Sequence, residues 1–455
     1  MNRTDTLQEK QDRLERTVLN PLVQTSTTYK LIMAGLAAVF VFGLYAFFTQ
    51  ARTGLIVTGM RDKVLWGLYI SNFVFFIGIS HAGTLISAIL RVTKAGWRTP
   101  ITRMAEFITV VALSMGAIMP AIDMGRPDRL YNLILHGRFQ SPLVWDIVAI
   151  STYLTGSVVY LYLPMIEDMA LCRDKLGAKA SPIQRALYRV LAIGWIGSTL
   201  QKRHLATAMG IMAILIIPIA VSVHTVVSFI FAMTLRPGWN STVYGAYFVA
   251  GAIYSGIATI IIVMAILRKA FKLYEYITDK HFIYLGYMLG AFVLIMAYFN
   301  VLEKVVPGYK MVEEERLLLT QILIGKFAPV YWGYVLFGLA IPGLIILLPW
   351  TRTMKGILLG AILINISMWF ERFLVVVPTL HVPLMPGEPP SYWPTWVEVG
   401  ITVGAISGFA LVISIFAKIF PVISVWEVKE HQELEAGGGH AEPEVHVTSE
   451  LSRVR

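Results

Sequence analysis

The sequence predicts an all-α membrane protein with about ten spanning helices, and three observations carry that expectation. Of the 455 residues, 56% are hydrophobic and only 15% charged, whereas soluble domains carry about 25% charged residues. Ten stretches are apolar over the roughly 20 residues that a helix needs to cross the hydrocarbon layer. Lys and Arg are unevenly shared between alternate connections, as membrane topology demands. Composition also limits the chemistry. The single cysteine, Cys172, can neither close an intrachain disulfide nor hold an iron–sulfur cluster, so a redox role would draw its cofactors from a partner.

Residues 1–30 are polar and charged, without a short apolar stretch ending in small residues, and read as a retained N-terminal tail. The spans follow near 31–49, 64–90, 104–124, 142–164, 205–234, 243–267, 281–301, 328–350, 355–377 and 396–418, within a membrane domain of 31–419. The second and fifth exceed the minimum length, which implies tilt or helix continuing beyond the hydrocarbon. Trp66, Trp145, Trp239, Trp350, Trp393 and Trp396 stand near span ends, where aromatic belts form.

Two connections read as having structure of their own. Apolar and basic residues alternate late in 165–204, predicting an interfacial amphipathic helix, and 302–327 places Glu313, Glu314 and Glu315 before an apolar run. The proline-rich 378–396 reads as an extended loop. The C-terminal tail, 420–455, reads as disordered from about 427, where it is polar and contains a glycine run. A faint duplication is visible in the AILR endings at 88–91 and 265–268, and in the shared spacing of Pro142 to Asp146 and Pro394 to Glu398.

With the N-terminus in the cytoplasm, the cytoplasmic segments hold 26 Lys and Arg and the outer segments 11, with Arg372 inside a span. Both termini are therefore expected in the cytoplasm. The net charge of +10 follows from this topology and is not a nucleic-acid footprint.

Ionisable groups within spans are informative, because burying one unpaired costs roughly 2.5–3.5 kcal/mol even on lenient scales. They are His81, Glu106, Asp123, Asp146, His224, Glu371, Arg372 and Glu398. Six fall in the outer half by helix direction, while His81 and Glu106 fall towards the cytoplasmic side. Acids, a histidine and an arginine at one depth suit a quinone headgroup, whose two-electron, two-proton chemistry needs donors at both carbonyls and groups that exchange protons. His224 with Asp123 or Asp146 would supply these.

Each residue also has a structural alternative. Asp146 and Glu398 stand near helix starts, where an acid suits the dipole. His224 could be an interhelical donor, and His81, among small residues, a packing residue. Glu106 lies three residues after Arg103 and could be solvated. Glu371 and Arg372 are adjacent and point differently, so each is expected to have its own partner, with Arg372 tying two helices together. Haem ligation by His81 and His224 is disfavoured by a depth difference of about 8 Å, and His204 and His281 fit interface positions better.

The segments GLYISNFVFFIGISHAGTLISAILR (67–91), WRTPITRMAEFITV (97–110), MGRP (124–127) and FQSPLVWDIVAISTY (139–153) resemble the NrfD/PsrC family of membrane subunits, especially the ActC type of alternative complex III. The likeness continues through SVHTVVSFIFAM (222–233), RPGWNSTVYGAYFVAGAIYSG (236–256), MWFERFLVVVPTLH (368–381) and PTWVEVGI (394–401). It implies two four-helix bundles plus two extra helices, with no cofactor of the chain's own. It further implies a quinone or menaquinone substrate, and electron exchange with an iron–sulfur subunit on the outer face of a prokaryotic cytoplasmic membrane. A multihaem cytochrome c and other membrane subunits would complete the complex.

By motif position, Asp123, Asp146 and His224 would be catalytic, and His224, Asp146, Glu371 and Arg372 would bind quinone. His81, Glu106 and Glu398 would form a proton path, and no metal site is implied. One departure is Ile230 in SFIF, where the ActC pattern has an acid, as in SWDF; it leaves room for a related quinone reductase. A proton-conducting or anchoring subunit without quinone chemistry is the competing expectation.

Overall fold

In a computed structural model, residues 6–93, 95–383 and 390–436 are described. The chain forms α1 (Leu7–Val23), α2 (Thr27–Thr53), α3 (Leu68–Val92), α4 (Thr99–Asp123), the short α5 (Tyr131–Leu135), α6 (Pro142–Leu176), α7 (Pro182–Leu191) and α8 (Thr199–Ala232). It continues with α9 (Tyr244–Ala270), α10 (Asp279–Lys310), α11 (Glu313–Leu323), α12 (Ala328–Tyr334), α13 (Ile341–Leu347), α14 (Met354–Leu380), α15 (Trp396–Ile419) and α16 (Val425–Ala436). A π-helical segment, Val335–Ala340, joins α12 to α13. Among the described residues there is no strand, and ten helices are long and apolar enough to cross a membrane.

Local chemistry sets the helix starts. Thr6 with Glu9, Ser181 with Gln184, Ser198 with Gln201 and Thr395 with Glu398 make reciprocal capping boxes that satisfy otherwise orphaned N–H groups. Helices α3, α4, α6 and α8 close a first four-helix bundle, α9, α10, α12–α13 and α14 a second, and α2 pairs with α15 outside them. Helix α3 is central. Of its apolar window 94% is buried by protein, against 11% for α2, so α3 can hold polar groups inside the protein whereas α2 is left largely uncovered by the rest of the chain. The α2–α15 pair is tight because Gly43 meets Gly404; a Cβ on either would stand 2.6 Å from the other's Cα.

Both described chain ends lie on one face, here the terminal face. α1 buries Leu14, Val18, Leu19 and Leu22 and packs on α16, so the expected N-terminal tail is an ordered, docked helix. The C-terminal tail is corrected likewise: α16 extends to Ala436, while the glycine run lies outside the described residues. Both segments are polar overall, and only tertiary contacts reveal the few residues that anchor them.

Other boundaries shift for similar reasons. α6 runs on to Leu176, with Asp168 paired to the buried Arg103 while Arg173, Asp174 and Lys175 lie towards the surface, leaving only the ten-residue α7 as the amphipathic helix between 165 and 204. α10 likewise continues to Lys310, before α11 buries Leu318 and Ile322. α14 covers the start of the proline-rich loop, of which 384–389 lie outside the described residues. The AILR runs end α3 and α9, the first helices of the two bundles. The Pro–acid pair does not correspond, because Pro142 opens the third helix of a bundle and Pro394 precedes an extra helix.

Candidate functional site

Two histidines meet where α3 crosses α8. His81 and His224 are fully buried, and their ring centroids stand 4.2 Å apart with planes inclined by 59°. This overturns the 8 Å depth difference. His224 lies eight residues before the end of α8 and His81 thirteen after the start of α3, about 12 and 20 Å along their helices; helix ends at different heights remove the offset. The contact also leaves no gap between the rings for a macrocycle. None of the four ring nitrogens makes a well-aligned hydrogen bond; the backbone of Ala220 lies near both rings and that of Ile77 near His224, too poorly aimed to satisfy them, a condition that buried polar groups rarely keep without a ligand or water.

The charge of Arg372 reaches His224 from the second bundle. Arg372 lies eight residues before the end of α14, at a matching position along its helix. Its guanidinium stands over the Phe248 ring at 5.3 Å and fills the notch left by Gly251, where a Cβ would be 2.4 Å from Nη2. Contrary to expectation, Glu371 and Arg372 pair with each other, Nη1 to Oε2 at 3.2 Å. Both side chains are long enough to fold back towards one another from adjacent positions on α14. The Tyr247 hydroxyl donates to Glu371 Oε1. Glu371 and Tyr247 also line a cleft between α9, α10, α11, α12 and α14, together with Glu303, Lys304, Asn300 and Tyr334. Of these, Tyr334 is buried with its hydroxyl unpartnered.

Asp123 and Asp146 stand nearer the opposite face, at the end of α4 and the start of α6. Each keeps one buried carboxylate oxygen without a partner. Glu398 differs, since its oxygens accept from Gly59 N–H at 2.6 Å, Thr395 N–H at 3.0 Å and the Tyr392 hydroxyl at 2.6 Å. This engagement favours a capping role over a place in a proton path.

Glu106 is 1% exposed and not at a solvated interface. Its Oε1 accepts from Ser87 at 2.5 Å, while Oε2 is unpartnered, and Ser87 lies 3.4 Å from the Tyr160 hydroxyl. Towards the histidines, Thr84 N–H donates to Thr109 Oγ1 at 2.9 Å, and Thr109 and Tyr153 donate to Ser80 O at 2.7 and 3.0 Å. A polar stripe thus lies along α3 between His81 and Glu106, in two hydrogen-bonded groups, one around Ser80, Thr84, Thr109 and Tyr153 and one around Ser87, Glu106 and Tyr160, with no hydrogen bond joining the groups to each other or to His81 among the described residues. It was illegible in sequence, because Ser, Thr and Tyr in apolar helices give no charge signal.

Arg103 and Asp168 were also missed. Both fall in segments read as connections, yet they form a buried ion pair.

A ten-span, all-α chain with its ionisable groups gathered inside helical bundles is a multi-pass integral membrane protein. Among the described residues no group of three or more His, Cys, Asp or Glu could hold a metal ion. The particular family follows from comparison: the model described as "Polysulphide reductase, NrfD" matches residues 56–383, and the chain belongs to that NrfD family. A relative in Halobacterium salinarum, named as a membrane subunit of a dimethyl sulfoxide reductase, is 28% identical over 85% of this chain and 90% of its own length. A relative in Mesobacillus selenatarsenatis, named as a subunit of selenate reductase, is 24% identical, over 92% and 99%. The Hdr-like menaquinol oxidoreductase integral membrane subunit of Archaeoglobus fulgidus is 23% identical, over 89% and 96%.

Proposed function

We propose that this chain is the quinone- or quinol-binding membrane subunit of a respiratory oxidoreductase complex in a prokaryotic cytoplasmic membrane, with both termini in the cytoplasm. The relatives named as membrane subunits of oxidoreductases, one of them acting on menaquinol, support the class. The observation that carries the site is a set of buried polar atoms without a well-aligned partner, the His224 ring nitrogens and one carboxylate oxygen each of Asp123 and Asp146, on the half of the first bundle away from the described chain ends. A headgroup there would find an imidazole and a carboxyl group for its two oxygens and carboxylates for its protons. Arg372 supplies positive potential beside His224, and Glu371 opens towards the neighbouring cleft.

With Cys172 the sole cysteine, electrons pass to or from clusters of an iron–sulfur subunit docked on the outer face, with a multihaem cytochrome c beyond. In the assembled complex, His224→Ala and Asp146→Asn are each expected to reduce quinone-linked turnover by about 10²-fold or more, the scale of a lost acid–base group. Full turnover in both variants would sink the assignment.

The polar stripe between His81 and Glu106 supports a second element of the reading, proton movement between the headgroup region and the terminal face. The hydroxyls of Thr109, Tyr153 and Ser87 and the Glu106 carboxyl stand along a protein-covered helix, where polar side chains in a span mark proton routes. Proton uptake by sealed vesicles during turnover checks it, and release matching only the protons of quinol oxidation would reject translocation.

A further inference from the structure

The segment expected to be a disordered tail carries a buried carboxylate on the terminal face that is paired with two arginines. Glu427, on α16, is 5% exposed. Its Oε1 takes Arg91 Nη2 at 2.8 Å and its Oε2 takes Arg98 Nη1 at 3.4 Å. Arg91 is one helical turn beyond Ser87, which holds Glu106, and its charge acts on both Glu106 and Glu427.

The helix that brings Glu427 there is held at its start from within the first bundle. Asp168 accepts the backbone N–H groups of Val425 and Trp426 at 3.2 and 3.3 Å, and the Trp426 indole donates to Pro164 O at 2.9 Å. Arg103, paired with Asp168, also donates to Ser424 Oγ at 3.2 Å. From the other side α1 holds α16, through Lys429 to Glu15 and Gln11 to Glu433, the latter at 3.0 Å.

We infer that α16 is the closure of the Ser87–Glu106 end of the polar stripe at the terminal face, and that Glu427 is its positioning residue, fixing Arg91 beside Glu106 and keeping water from Ser87 and Glu106. This rests on the reading of Glu106 as a member of a proton path. A buried arginine is confined when its counter-charge comes from a docked helix. Without that carboxylate, Arg91 either turns to Glu106 or leaves for water, and the mouth opens in both cases.

The test uses the full complex in sealed vesicles, with Ser87→Cys as a probe for a small membrane-impermeant thiol reagent added on the terminal side. The unmodified chain reports the background of the buried Cys172. With Glu427 present, the probe is expected to stay unreactive. Glu427→Gln should raise its labelling about tenfold through local opening, Glu427→Asp should restore protection, and Glu427→Gln without the probe should lower the protons moved per quinol. Equal labelling of the probe with Glu427 and with Gln would overturn the closure. Faster labelling with an unchanged proton ratio would support the closure and overturn the proton-path reading of Glu106. Because α16 is tied down at Asp168 as well, Arg98→Gln serves as the second variant if Glu427→Gln fails to assemble, with the same labelling increase expected and its absence overturning the inference.

Discussion

At the scale of single residues, Arg372 depends on what is missing from its neighbour. Gly251 leaves the space that its guanidinium takes against α9, so Gly251→Ala puts a methyl 2.4 Å from Nη2. Overpacking of this kind costs about 1–3 kcal/mol, and it also moves the charge that faces His224 and Glu371. Thermal unfolding of the purified complex should shift down, with a loss of quinone-linked turnover. Gly210→Ala, at a position with nothing within 4 Å of the added carbon, should leave both unchanged or slightly raise stability. Separately, Tyr247→Phe removes the donor to Glu371 and leaves a buried acceptor short by one bond, a penalty of about 1–3 kcal/mol. A thermal shift as small as that of an exposed substitution would contradict the buried bond.

Among whole elements, α16 shows how a short polar helix becomes part of a membrane domain. Burial alone would raise the Glu427 carboxyl, but Arg91, Arg98 and Arg103 outweigh it and hold it below the usual glutamate range. A depressed carboxyl stabilises the folded state fully above its unfolded pKa, and this contribution is lost as pH falls through the folded value. The contribution of Glu427 to docking of α16 is therefore expected to be constant near neutrality and to be lost only in acid, below the ordinary glutamate pKa of about 4.3. The difference in amide exchange across α16 between the unaltered chain and Glu427→Gln, corrected for intrinsic rates, measures this, and a difference that fades already between pH 8 and 6 would refute it. The α2–α15 pair offers a contrasting case, being held by backbone proximity with little charge. There Gly43→Leu should separate the helices and lower thermal stability without changing the pH profile of α16.

For the molecule as a whole, the arrangement is two bundles sharing a seam at α3, α9 and α14, with the His81–His224 contact on one side and the Glu371–Arg372 pair on the other. Proton uptake and quinone turnover should therefore respond together to changes at the seam. They should separate for changes at the terminal face, where Glu106→Gln is expected to reduce the proton ratio more than the turnover. Equal losses in both would place Glu106 in the headgroup site instead.

Much of this was legible in the amino-acid order. Ten apolar stretches, the charge asymmetry, the family motifs and the eight costly residues are all local or compositional properties, and a bilayer penalises departures from them residue by residue. What tertiary structure decided was which of those residues meet. His81 and His224 come together because helices cross with their ends at different heights, which no count along one helix can supply. Glu371 and Arg372 pair because both side chains turn into the same seam, and the chain ends dock because a few buried ions hold them. Hydrophobicity is additive along the sequence and so can be read there, whereas hydrogen bonds and ion pairs depend on distances that exist only once the bundles have packed.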